Sequence, residues 1–113
     1  MAIANPEMAA RRFLRGMYQD PYFPDSLVDK GAAILRRSCE RIEAEHPADL
    51  AELYALTQDA TEEFNELQVE FAAAGHEIET VAREAIAEDF SAIAEAYGFA
   101  GADVEELIAT RDW

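Results

Sequence analysis

Cysteine, proline, glycine and positive charge are all scarce in this 113-residue chain, which holds one Cys, four Pro, five Gly and nine Lys or Arg. The single cysteine, Cys39, excludes an intramolecular disulfide and fits a reducing compartment, so we expect a cytoplasmic protein. No run approaches the ~20 apolar residues that span a bilayer, and residues 1–12 lack the apolar region of a signal peptide. The sequence therefore indicates neither a membrane-spanning nor an exported protein.

Positive charge is also unevenly placed. Residues 1–41 carry seven bases and five acids, a net of +2, whereas residues 42–113 carry two bases and 19 acids, a net of −17. Non-specific binding to nucleic acid or to an anionic membrane needs a basic surface, so we expect neither as a partner. Most of the acids provide a solvated surface, and they can also attract a basic partner protein. We expect the bases and the acids to lie on two different faces of the molecule.

Proline and glycine divide the chain into segments in which apolar residues recur every three or four positions. With 50% hydrophobic residues, the chain can build one core in a single domain over residues 1–113. The short connections favour antiparallel neighbours. We predict an all-α fold, an up-and-down bundle of four helices plus a short C-terminal helix. The predicted helices are 6–18, 24–45, 47–74, 77–97 and 104–109.

Local signals refine this prediction. Asn5 and Asp103 are suited to be N-caps, because their side chains can accept from the free N–H groups of a first turn. Gly75 and Gly98 are suited to end the third and fourth helices. Gly31 costs about 1 kcal/mol inside the second helix relative to Ala, so we expect a close helix crossing there.

Asp89 breaks the pattern of the fourth predicted helix, because it falls inside the apolar arc and not on the acidic face. A buried carboxylate must be ion-paired, hydrogen-bonded or protonated. One interpretation is a structural partner such as Arg15, Arg83, a tyrosine hydroxyl or a helix terminus. The other is an acid that faces a ligand in a crevice of the bundle.

Aromatic residues form a second candidate feature. Tyr18, Tyr22 and Phe23 lie in or beside a proline-containing loop, and Trp113 is the last residue. Such rings suit a recognition surface, and they equally suit plugging the open end of a bundle or docking into it.

A polar fringe, made of Tyr54, Thr57, Thr61 and Gln68, follows one edge of the third predicted helix and marks either a small pocket or the boundary of the core. Candidate binding residues are thus Asp89, Tyr54, Tyr18, Tyr22, Phe23 and Trp113.

Residue sets for catalysis or metal binding are sparse. Cys39 lies in an apolar arc, where an inert structural thiol is the favoured interpretation. His46 ends one Glu-x-x-His run that begins at Glu43, whereas a di-iron bundle needs two such runs. His76 and Glu79 could share a face for a metal, but acids at a helix start are explained equally well by the helix dipole. We predict no catalytic set, no metal site and no cofactor.

Several short runs are distinctive in combination: RGMY at 15–18, YFPD at 22–25, LVDKG at 27–31, LYALT at 53–57, ATEEFN at 60–65, IAEDF at 86–90, AYGF at 96–99, EELI at 105–108 and RDW at 111–113. With these runs the chain resembles, over nearly its whole length, a short all-helical bacterial family of unknown function. The resemblance implies that the aromatic loop, Asp89 and Trp113 belong to the family's pattern. It implies no activity, cofactor or partner.

These observations favour a small, acidic, cytosolic module that is not an enzyme and binds another protein, with a basic partner suggested by the acidic segment. Self-association is compatible with this function, since the basic segment of one copy can face the acidic segment of another. The alternative is a small-ligand or metal-binding bundle, or an enzyme, that uses a crevice around Asp89.

Overall fold

All regular structure in residues 3–113, the part of the chain that the computed structural model describes, is helical. The predicted all-α fold is therefore confirmed. No helix within these residues is long and apolar enough to cross a membrane. The helices are α1 (Pro6–Ala10), α2 (Arg15–Tyr18), α3 (Asp25–Glu45), α4 (Leu50–Ala73), α5 (Thr80–Ala96) and α6 (Val104–Leu107).

The core is organised around α3, which packs mainly against α4 and also contacts α2 and α5. Its predicted apolar arc is confirmed, since Val28, Leu35 and Cys39 are completely buried. The apolar residues of α4 and α5 close over this face, and Phe64 of α4 meets Phe90 of α5 edge-on at 6.0 Å between ring centroids. Spacing of three and four residues thus places one face of each long helix in a common core.

The helix ends follow the local signals. Oδ1 of Asn5 accepts from the N–H of Met8 at 3.1 Å, and Oδ1 of Asp103 accepts from the N–H of Glu105 at 3.0 Å, so both predicted N-caps are confirmed. Gly75 and Gly98 follow α4 and α5 with φ of +85° and +88°. Left-handed backbone of this kind is accessible to glycine without a steric cost, which explains why the two helices stop there.

The prediction of one continuous helix over 6–18 is wrong. Two short helices, α1 and α2, replace it, and Leu14 lies between them with φ +58° and ψ +34°. The starts of the third and fourth predicted helices are also wrong, because α4 begins at Leu50 and not at 47, and α5 begins at Thr80 and not at 77. The backbone N–H of Glu77 instead donates to the hydroxyl of Tyr22 at 3.0 Å, so a tertiary contact competes with the first turn.

Candidate binding groove

The break between α1 and α2 is built on Asp89 of α5, whose side chain is almost completely buried. Oδ1 of Asp89 accepts from Nε of Arg11 at 3.0 Å and lies 2.9 Å from Nη2 of the same guanidinium. Oδ2 accepts from the backbone N–H of Leu14 at 2.7 Å. The backbone N–H of Leu14, which has no partner within a helix, is therefore satisfied by Oδ2 of Asp89.

Two opposing effects act on the Asp89 carboxyl. Burial raises its pKa, and this is the largest effect. The Leu14 N–H and the Arg11 guanidinium lower the pKa by stabilising the charged form. Asp89 does point inward as predicted, but its ion-pair partner is Arg11 and not Arg15 or Arg83.

Gly31 of α3 accommodates the strained residue. A Cβ at Gly31 would lie 2.7 Å from Cδ1 of Leu14 and 3.2 Å from Cε1 of Phe64, so no larger side chain fits without a shift of its neighbours. The sequence predicted a helix crossing at Gly31, but the residue that approaches it most closely, Leu14, lies between α1 and α2. Leu14 is therefore held at two points. Its backbone N–H binds Asp89, and its side chain fills the space next to Gly31.

A groove of about 760 Å³ opens beside this break, and we call it the N-terminal groove. Residues between 10 and 19 form one wall, with the side chains of Arg11, Arg12 and Arg15. α5 forms the other wall with Val81, Ala85, Glu84, Glu88 and Asp89. The α5 residues are spaced by three and four positions, so they share one helical face.

Four charged side chains of the N-terminal groove have no partner within residues 3–113. Arg12 and Arg15 are exposed on the first wall, Glu84 and Glu88 are exposed on the second, and none forms an ion pair or a side-chain hydrogen bond there. Each wall thus carries two unpaired like charges, and the two walls have opposite signs. Only Arg11 and Asp89, at the base of the groove, are paired with each other.

The bases of α3 behave differently, because they pair with acids of α4. Lys30 pairs with Glu70, Arg37 with Glu63 at 2.7 Å, and Arg41 with Asp59 at 2.9 Å. The three bases are separated by seven and then four residues along α3. Their partner acids are separated by the same intervals in the opposite chain direction along α4, as expected for antiparallel helices. The expectation that bases and acids occupy two different faces is therefore wrong for these helices.

Two of the predicted aromatic residues lie together at the end of α4. The ring of Tyr22 is 5.0 Å from that of Phe23 and 4.8 Å from that of His76, both edge-on. Phe23 is buried and contacts Phe71 at 6.1 Å, whereas Tyr22 remains 45% exposed. Tyr18 lies elsewhere, and its hydroxyl donates to Asp29. Burial, followed by the hydrogen bond to Asp29, raises the pKa of this tyrosine to about 12.

Trp113 is docked and not exposed. Its side chain is 8% exposed, and its ring contacts Phe64 at 6.3 Å between centroids. The indole N–H and Nδ1 of His76 are buried without a hydrogen-bond partner in residues 3–113. Both residues line a second groove of about 450 Å³ together with Arg83.

The polar fringe of α4 holds the C-terminal segment, residues 103–113, in place. The hydroxyl of Tyr54 accepts from the N–H of Asp103 at 2.9 Å, and Thr61 donates to the carbonyl of Leu107 at 3.3 Å. Gln58 and Asn65, which the sequence reasoning missed, extend this row by donating to the carbonyls of residues 106 and 110 at 2.8 and 2.9 Å. Tyr54, Gln58, Thr61 and Asn65 are spaced by four, three and four residues, and that spacing is the signal that could have found them.

The six predicted binding residues therefore do not form one site. Asp89 lies in the N-terminal groove, Tyr22 and Phe23 lie at the end of α4, and Tyr54 lies under the C-terminal segment. No group of three or more His, Cys, Asp or Glu side chains placed to hold a metal ion occurs in the described part of the chain.

The fold and the groove define a small all-α bundle with a charged groove at its N-terminal break. The chain belongs to a family of unknown function, DUF5713, whose family model matches residues 7–113. No match was found among curated proteins or among solved structures. The family match covers α2 to α6 and all of α1 but Pro6, and so it includes every residue of the N-terminal groove.

Proposed function

We propose that this protein is a non-enzymatic module that binds a partner protein, with the N-terminal groove as its recognition surface. The observation that carries the proposal is the set of unpaired charges on the two walls. Five of the nine bases of the chain, Arg11, Lys30, Arg37, Arg41 and Arg111, form ion pairs within residues 3–113. Two of the remaining four, Arg12 and Arg15, line this one groove.

The size and charge of the groove suit a segment of a partner. A volume of about 760 Å³ accommodates several side chains. Unpaired charges on a surface accelerate encounter and fix the orientation of a bound partner, and they make binding sensitive to ionic strength. The acids of α5 support a partner with basic groups, because neither Glu84 nor Glu88 forms an ion pair within residues 3–113.

Several further properties are part of this proposal. The chain acts as one domain over residues 1–113, which the single core cluster of buried residues supports. The buried free thiol of Cys39 supports a reducing cytoplasmic location. The proposal includes a homodimer in which Arg12 and Arg15 of one copy face α5 acids of another. Light scattering tests it, and a monomer at high protein concentration would exclude the dimer.

Co-purification with groove variants tests the proposed function. Three tagged full-length proteins are compared: the wild type, Arg12→Gln/Arg15→Gln, and the control Arg36→Gln, which removes an exposed arginine outside the groove. We expect the wild type and the control to retain the same partner at low salt, and the groove variant to lose it. Retention of an identical set of proteins by all three would contradict the proposed function.

A second candidate is a small-ligand site or an enzyme that uses the crevice around Asp89. It is favoured by the volume of the groove, which falls in the range of small-molecule pockets. A thermal-shift screen with metals and metabolites tests it. A compound that raises the melting temperature of the wild type but not of Arg12→Gln/Arg15→Gln would support it, and the absence of any shift would exclude it.

A further inference from the structure

We propose that the segment bound in the N-terminal groove carries an acidic and a basic side chain together. The acid lies against Arg12 and Arg15, and the base lies against Glu84 and Glu88. This inference rests on the proposed function and names the chemistry of its partner. Its basis is the arrangement of two like-charged walls of opposite sign, neither of which is neutralised within residues 3–113.

The balance of charge in the groove disfavours a segment that carries charge of one sign only. Arg11 and Asp89 neutralise each other at its base, which leaves two positive and two negative side chains. A purely acidic segment is attracted by the arginine wall and repelled by the glutamate wall. A purely basic segment is attracted by the glutamate wall and repelled by the arginine wall. Only a segment with both charges gains favourable interactions from both walls.

Buried contacts fix the two walls relative to each other. Asp89 fixes the backbone of Leu14 through a 2.7 Å hydrogen bond, and the Leu14 side chain fills the space above Gly31. The first wall therefore cannot shift relative to α5 without breaking a buried hydrogen bond or displacing a core side chain. A partner segment can therefore supply the opposite charges that the side chains of the two walls do not find within residues 3–113.

The α5 wall also indicates how the segment lies. Val81, Glu84 and Glu88 follow one another along a single helical face, so the wall is a stripe parallel to the helix axis. Val81 is 50% exposed and offers apolar contact for the aliphatic stem of a lysine or glutamate. We infer that the segment runs along α5 with its basic side chain towards that helix.

Three synthetic peptides of equal length test the inference with the full-length protein. One carries both Glu and Lys among alanines, one carries Glu only, and one carries Lys only. Fluorescence anisotropy at low salt is expected to show that the mixed peptide binds about tenfold more tightly than either of the others, and that added salt weakens it. Arg12→Gln/Arg15→Gln and Glu84→Gln/Glu88→Gln are each expected to remove this preference.

The control is Arg36→Gln/Glu95→Gln, which removes one exposed charge of each sign outside the groove and is expected to bind as the wild type does. A stronger test exchanges the walls, in Arg12→Glu/Arg15→Glu/Glu84→Arg/Glu88→Arg. This variant is expected to keep the preference for the mixed peptide, since a segment with both charges can bind in the reverse direction. Circular dichroism is used to check that all variants are folded.

Three results would overturn the inference. Tighter binding of the Glu-only peptide, strengthened by Glu84→Gln/Glu88→Gln, would define a plain anion site. Tighter binding of the Lys-only peptide, strengthened by Arg12→Gln/Arg15→Gln, would define a plain cation site. Failure of all peptides to bind would show that paired charge is not recognised. In each case the co-purification experiment decides independently whether the groove binds a partner protein.

Discussion

The backbone N–H of Leu14 donates a 2.7 Å hydrogen bond to Oδ2 of Asp89, a residue 75 positions further along the chain. The other oxygen of the same carboxylate pairs with Arg11. A single buried side chain therefore satisfies the interrupted backbone between α1 and α2 and balances one charge of the groove. Because residues 11–14 are fixed in this way, Arg12 and Arg15 lie on one wall although no continuous helix joins them.

Asp89→Ala is expected to lower the free energy of unfolding by about 2–3 kcal/mol, because it leaves the buried Leu14 N–H without an acceptor and Arg11 without its partner. The loss is moderated by the partial exposure of Arg11, whose side chain is 28% accessible. Asp89→Asn keeps an oxygen for Leu14 and is expected to lose only about 1 kcal/mol. Urea unfolding followed by circular dichroism measures both.

Glu88→Gln is the control for these variants, since its side chain is exposed and adjacent in sequence. It is expected to unfold within about 0.5 kcal/mol of the wild type. Equal stability of Asp89→Ala and Glu88→Gln would show that the contacts of Asp89 do not stabilise the break. An Asp89→Asn protein with full stability but no partner binding would instead indicate a direct role of Asp89 in recognition.

Acid is expected to loosen the N-terminal segment through Glu43. The hydroxyl of Tyr97 and then the backbone N–H of Ala4 hold the pKa of Glu43 below its ordinary value, and the N–H of Asn5 adds to this effect. A carboxyl whose pKa is lowered by folding stabilises the folded state above its unfolded pKa. That contribution is lost as pH falls through the folded-state pKa.

The difference in unfolding free energy between wild type and Glu43→Gln should therefore be constant from about pH 7 to pH 5 and shrink below about pH 4. Urea unfolding at each pH measures it. Glu95→Gln, an exposed acid on α5, should show no comparable change. A difference that grows on acidification would contradict the assigned role of Glu43.

Cys39 is expected to resist alkylation until the protein unfolds. It is completely buried, and burial is the main effect that raises its pKa from 9.0 to about 12. At pH 8 this leaves about 1000-fold less thiolate than an ordinary thiol has, and only the thiolate reacts. Iodoacetamide labelling followed by mass spectrometry should be at least about 1000-fold slower for the native protein than in denaturing urea. Native labelling within tenfold of the unfolded rate would show an accessible thiol.

Sequence periodicity was sufficient for the helices but not for their interruptions. The apolar arcs of α3 to α5 and the N-caps at Asn5 and Asp103 depend on neighbouring residues, so they can be predicted locally. The break at Leu14 depends on a contact with Asp89, and nothing within residues 6–18 signals it. Asp89 itself was identifiable because a carboxylate in an apolar arc is exceptional, but its partner depends on how distant segments pack.

The candidate site shows the same division. Tyr54 was identified from its place at the edge of the α4 face, while Gln58 and Asn65 were missed. A helical wheel shows which side chains share a face and does not show what covers them. The unpaired charges of the N-terminal groove could not be predicted either, because pairing depends on which bases and acids the fold brings together. Lys30 and Arg15 are each followed by a glycine in a helix, and only Lys30 meets an acid within residues 3–113.

Asn65 is expected to be the most important side chain for docking the C-terminal segment. Its Nδ2 donates to the carbonyl of Thr110 at 2.9 Å, and its Oδ1 accepts from the N–H of Asp112 at 2.9 Å. One side chain therefore binds the backbone of the residues that precede and follow Arg111. Asn65→Ala removes both hydrogen bonds and should lower the unfolding free energy by about 1–3 kcal/mol.

The same variant should also release Trp113, the only tryptophan of the chain, from its contact with Phe64. Its fluorescence should shift to longer wavelength, and acrylamide should quench it more strongly. Glu66→Ala, an exposed change one position away, should leave both properties unchanged. Unchanged quenching in folded Asn65→Ala would mean that the apolar contacts of Leu107 and Ile108 are sufficient to hold the segment, and that the hydrogen bonds of α4 only determine its register.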